Sequence, residues 1–125
     1  SASSGSLKGP FSMPWFVKHE TFTAETAALS VEQRRSHLEA HRAWVEEQLE
    51  SGTVITTGFL VDGKGLPGGG GLLMVEAESY AQALALLRGD PMIARGLVDW
   101  TLQQWMPVTG SPLMTILSAA SDRPG

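Results

Sequence analysis

Three histidines and one aspartate placed before a proline hold the chemistry open to this chain. His37 and His41 stand four residues apart in "RRSHLEAHRAW". On a helix that spacing returns both to one face, so both can reach a single metal ion. Zinc would need at least one further ligand, from His19 or a carboxylate, and no second paired cluster supplies it. The other use of a histidine is to move a proton near neutral pH. Asp90 sits in "RGDPMIARG". Proline disfavours helical geometry in the residue before it, so Asp90 ends a helix. Its carboxylate is also placed to cap the next turn, with Pro91 at the first helical position. Arg88-Gly89-Asp90 spells an adhesion tripeptide, but that use needs an extruded extracellular loop. The chain has no cysteine and shows no apolar leader, so the tripeptide reads as coincidence. Gly63-Lys64-Gly65-Leu66-Pro67-Gly68 matches the dinucleotide motif letter for letter. That motif must open a helix, whereas here it leads into the strand-like "GLLMVEA". It reads as a hairpin loop, with a flexible flap over a pocket as its functional use.

The chain must supply elements that bring such groups together. Its 125 residues fit one domain. Hydrophobic residues make up 42% and charged residues 18%, a balance that supports a packed core. A net charge of -4 offers no attraction to phosphate backbones, which argues against nucleic acid as partner. The absence of cysteine excludes thiolate metal sites and cysteine catalysis. No apolar run approaches the roughly 20 residues a membrane span requires. A cytoplasmic protein is the expectation. Residues 1–12 read as a vector-derived tail or flexible extension before Met13, residues 13–108 as the domain, and 109–125 as a C-terminal extension.

"PWFVKHETF" reads as a first strand. Ser30 and Gln33 form a capping box that opens a long helix, which Gly52 stops. Val31, Leu38, Val45 and Leu49 form its expected apolar stripe. His41 lies close to that stripe, which suits a hydrogen-bonded core histidine. His37 lies at the stripe's edge with Trp44 on its side, which suits a pocket wall. "TVITTGFLV" is a second strand, "DGKGLPGGGG" a turn, and "LLMVEA" a third strand. Ser79 and Gln82 start a second helix that ends at Gly89, and "MIARG" adds a turn. "LVDWTLQQW" alternates as a fourth strand, and "PLMTILS" suggests a short fifth. The order β-α-β-β-α-β is the ferredoxin-like α+β arrangement, an antiparallel four-stranded sheet with two helices on one face. The other face would expose Leu97 and Trp105, so a homodimer closing sheet on sheet is expected.

Two stretches carry a family resemblance. "RRSHLEAHRAWVEEQLESGTVITTGFLVD" resembles the first helix and second strand of YciI-like proteins, the YCII-related domain family. "LLMVEAESYAQALALLRGDPMIARGLVDWTLQQW" is similar to their second half, and the likeness spans about residues 13–108. The resemblance implies a dimeric α/β-barrel and a histidine–aspartate active site, carried over to His37 and Asp90. Gly58 falls at the family's glycine after the second strand. Phe59 replaces a frequent proline, and Met92 a frequent aromatic residue. Antiparallel helices would bring His37, near the start of one, to Asp90, at the end of the other. A carboxylate on one imidazole nitrogen fixes the tautomer and leaves the other nitrogen to move a proton. The expected pocket walls are Trp15, His41, Trp44, Gly58, Phe59 and Met92. No metal and no organic cofactor is implied.

Two functions fit. One is an enzyme of lyase, dehydrochlorinase-like or isomerase type acting on a small ring or carbonyl compound. The alternative is a non-catalytic small-ligand-binding or interaction module, since one fold serves many roles.

Overall fold

A computed structural model describes residues 13–110 of the chain. Its elements are β1 (Trp15–Phe22), α1 (Ala24–Ala27), α2 (Val31–Glu50), β2 (Ile55–Val61), β3 (Pro67–Glu76), α3 (Tyr80–Leu87), α4 (Pro91–Ala94) and β4 (Val98–Trp105). The strands lie in the order β2-β3-β1-β4, and every neighbouring pair is antiparallel. This is the ferredoxin-like order expected from the element sequence. The expected fifth strand and the two terminal segments, 1–12 and 111–125, lie outside the described residues.

Strand alternation divides the sheet into two faces. Phe16, Leu73, Val75, Ile55 and Leu102 point to one face and share a core with Trp44, Val45, Ala83 and Leu87 from the helices. Each such fully buried side chain contributes about 1.5–3 kcal/mol. On β1 this face also receives Lys18, Glu20 and Phe22, because they alternate with Val17, His19 and Thr21. In register, Lys18 lies between Leu73 and Leu102, and Glu20 between Gly71 and Trp100. The opposite face carries Val17, Leu72, Met74 and Trp105.

Both expected caps are present. Ser30 accepts from Gln33 N, and the Gln33 side chain accepts from Ser30 N. Ser79 accepts from Gln82 N at the start of α3, but the Gln82 side chain accepts from Glu78 N, so the reciprocal half of the second expected box is not formed. The inner face of α2, however, is not the stripe read from sequence. Val31, Leu38 and Leu49 are exposed, while Trp44 and Val45 are buried and His41 is half-buried. The helix is rotated so that Trp44 and His41 face inward. Apolar spacing was a weak guide because this helix buries an indole and an imidazole against α4 rather than an aliphatic row against the sheet alone.

The glycine-rich segment also differs from the expected turn. The turn is confined to Asp62–Leu66, where Asp62 Oδ1 accepts from Lys64 N and Leu66 N. From Pro67 onward the glycines belong to β3. Pro67 opens the strand, a position that tolerates its missing amide. Gly71 is needed for a close approach. A Cβ there would lie 3.3 Å from both Cγ and Oε2 of Glu20 and 3.4 Å from Gly58 O.

Candidate active site

Asp90 is held by backbone geometry before any side chain meets it. Its own N–H donates to Leu87 O at 2.9 Å, closing α3. Its φ of -67° and ψ of 123° are the extended values that Pro91 imposes. From there its Oδ1 accepts from Met92 N at 3.0 Å, capping α4 as the sequence suggested. Gly89 lets α2 close on this turn. A Cβ at position 89 would sit 3.1 Å from the Trp44 indole nitrogen. One turn of α4 then lies along one turn of α2, with Asp90 opposite His41 and Arg95 opposite His37.

The carboxylate of Asp90 is 0% exposed and has a donor on each oxygen. His41 Nδ1 lies 2.8 Å from Oδ1, and Lys18 Nζ lies 3.0 Å from Oδ2. Lys18, 1% exposed, also pairs with Glu20 Oε1 at 2.5 Å. Glu20, Lys18, Asp90 and His41 therefore form one continuous chain of charged and titratable groups beneath the helices. A carboxylate only accepts hydrogen bonds when ionised, so His41 Nδ1 is the protonated ring nitrogen in this contact. In the neutral ring the lone pair then belongs to Nε2. The His41 side chain keeps 14% of its surface accessible, so this end of the chain is open. Its ring stacks obliquely on Trp44, with centroids 6.0 Å apart and planes at 32°.

Burial by itself would raise the Asp90 pKa. The His41 hydrogen bond and the Lys18 and His41 charges outweigh it and hold the carboxyl below its usual range. A carboxyl with a lowered folded pKa stabilises the protein above its unfolded pKa, about 3.9. That stabilisation is lost as pH falls through the folded value. Urea unfolding followed between neutral and acid pH is thus expected to show stability dropping on the acid side, with a weaker drop in Asp90→Asn. Glu76 acts in the opposite direction. Its carboxyl is raised by burial, so its contribution is lost as pH rises through its folded value.

The sequence-derived site residues fall into four groups. Asp90, His41, Trp44 and Met92 come together at the junction of α2 and α4. His37 lies one turn away and its Nδ1 accepts from Arg95 at 2.8 Å, so it is not the histidine on Asp90. The pairing expected between His37 and Asp90 is corrected to His41 and Asp90. Helix α2 does reach the Asp90 turn, but it does so along the short α4 rather than along α3, and the carboxylate faces the second histidine of the i, i+4 pair. Trp15 and Gly58 lie on the opposite sheet face, by the register that pairs them with Glu76 and Leu72. Phe59 shares the row of Glu20 and Gly71 but is 73% exposed. His19, the suggested third metal ligand, also points to the opposite face and away from the histidine pair. Among the described residues no group of three or more His, Asp or Glu side chains is placed to hold a metal ion. Lys18 and Glu20 were not anticipated. Their signal was two charges at inward positions between Phe16 and Phe22.

No curated protein matches the chain. Among solved structures it is similar to 5-chloro-2-hydroxyhydroquinone dehydrochlorinase from Burkholderia phenoliruptrix AC1100, in complex with 2,5-dihydroxybenzoquinone. The TM-score is 0.52 at 21% identity, covering 74% of this chain and 93% of that one. At that identity the likeness establishes the shared fold. The sequence also matches the YCII-related domain over residues 16–105, which takes in every member of the Asp90 cluster. The chain belongs to the YCII-related domain family.

Proposed function

We propose that this protein is a small-molecule enzyme that moves a proton with His41, oriented by Asp90, in an elimination or isomerisation on a small ring or carbonyl compound. The observation that carries the reading is the contact between buried Asp90 Oδ1 and His41 Nδ1, with the imidazole still accessible. A buried carboxylate fixes the ring and stabilises the imidazolium formed when Nε2 accepts a proton. In an elimination, the substrate proton passes to Nε2, a new double bond forms, and the leaving group departs with the electron pair of its bond. In an isomerisation, the same proton returns at another carbon. Neither route needs an oxidant or a reductant. The dehydrochlorinase of the same fold makes halide loss from a chlorinated polyhydroxybenzene the first reaction to test. Chloride release from 5-chloro-2-hydroxyhydroquinone above the rate without protein supports the reading. Failure with this compound and with a panel of activated ring and carbonyl compounds would favour the ligand-binding alternative.

The working unit is a homodimer closed through the open sheet face. Val17, Met74, Leu72 and Trp105 give that face an apolar patch, and such patches are commonly covered by a partner. Sedimentation is expected to give the mass of two chains, and Met74→Lys to shift it toward one. A monomer at all concentrations would contradict the dimer without touching the His41 assignment.

A further inference from the structure

The His41–Asp90 pair accounts for only half of the buried cluster. Lys18 is 1% exposed and lies in register between Leu73 and Leu102. A buried ammonium requires paired acceptors. Asp90 Oδ2 provides one, yet that bond neutralises the charge that an aspartate normally offers to its histidine. A lone Lys18–Asp90 pair would carry no net charge, and a proton on His41 would leave the buried group positive. Glu20 changes the count. Two carboxylates and one ammonium leave a single negative charge while His41 is neutral. The cluster becomes neutral when His41 accepts a proton.

We infer that Glu20 is a positioning residue for the reaction: it balances Lys18, so that Lys18 anchors Asp90 while the site keeps one negative charge for the imidazolium of His41. Gly71 is part of the same device, because a side chain there would occupy the space taken by Glu20 Cγ and Oε2. This inference rests on the proposed role of His41, but its test does not need a substrate. The remaining titratable groups near the ring are few. His37 is one turn along α2 and bonded to Arg95 at the end of α4. On the same sheet face β3 offers Leu73 and Gly71, β4 offers Trp100 and Leu102, and β2 offers Thr57 and Phe59. None of these carries a charge.

The experiment is ¹⁵N NMR of the His41 ring, with thermal unfolding run beside it as a check on folding. It compares the intact protein with Glu20→Gln, Glu20→Asp and the double variant Lys18→Met/Glu20→Gln, at the pH where the unaltered protein has His41 half protonated. Glu20→Gln removes one negative charge and is expected to lower the ratio of protonated to neutral His41 by about three- to tenfold. Glu20→Asp and the double variant keep the single negative charge and are expected to match the unaltered protein. Restoration by deleting the neighbouring cation is not expected of a residue that merely packs. An unchanged ratio in Glu20→Gln would overturn the inference. So would a ratio in the double variant as low as in Glu20→Gln. Should Glu20→Gln fail to fold, the other two variants decide, since a mismatch of either with the unaltered protein refutes the charge count. If His41→Ala kept full turnover, the proposed reaction would fail while this proton balance could still hold. If His41→Ala abolished turnover and Glu20→Gln left the ratio unchanged, only the role of Glu20 would fall.

Discussion

Asp90→Asn is expected to destabilise the protein by about 3–5 kcal/mol, the range for breaking one side of a buried ion pair. The loss follows from what the carboxylate does at once. Its two oxygens take Lys18 Nζ, His41 Nδ1 and Met92 N, and its side chain has no access to water. An amide offers a single acceptor oxygen and no charge. Lys18 would then face only Glu20, in a space where an ammonium cannot be hydrated. Urea denaturation at neutral pH measures the difference. A change below about 1 kcal/mol, the scale of a single ordinary hydrogen bond, would mean that the buried network contributes far less than its geometry implies.

His41→Ala is expected to lower kcat by about 10²–10⁴, the usual contribution of a positioned general acid or base. His37→Ala is expected to leave kcat near its original value. The two histidines share a helix face and differ by one turn, so a general effect on the helix would strike both. What separates them is their partner. His41 Nδ1 donates to a buried carboxylate, which orients the ring. The Nδ1 of His37 accepts from an exposed guanidinium instead. Halide release, or turnover of any substrate found in a screen, measures the contrast. Equal losses in both variants would place the chemistry elsewhere on the helix.

Much of this architecture was readable from residues. The Ser30–Gln33 box, the Ser79 cap, the Gly52 stop and the Asp90-Pro91 punctuation set the helices, and strand alternation set the sheet. Asp90 caps α4 as its place before Pro91 suggests, but its histidine is His41 and not the expected His37. The choice of histidine was not settled by helical periodicity. His37 and His41 project to one side, and only the fit of α4 along α2 decides which is level with Asp90. That fit depends on Gly89 admitting the Trp44 indole, a contact 45 residues apart in sequence. The aliphatic stripe misled for a related reason: Leu38 and Leu49 have the right spacing but lie beyond the reach of the sheet and α4. Lys18 and Glu20 were overlooked because charges in a short strand normally face water. Phe16 and Phe22, at the same parity, marked them as inward. The glycine run was misread because glycine favours turns, while a turn needed only residues 62–66, leaving the later glycines free to pair as strand.

The most direct test of the central claim is the ring-proton state of His41 in the intact protein, read by long-range ¹H–¹⁵N NMR. In its neutral form His41 is expected to carry its proton on Nδ1, exchange-protected by Asp90, with Nε2 unprotonated. His37 should show the opposite tautomer, because Arg95 donates to its Nδ1. A neutral His41 ring with its proton on Nε2 instead of Nδ1, or an Nδ1 proton with no dependence on Asp90, would contradict the account.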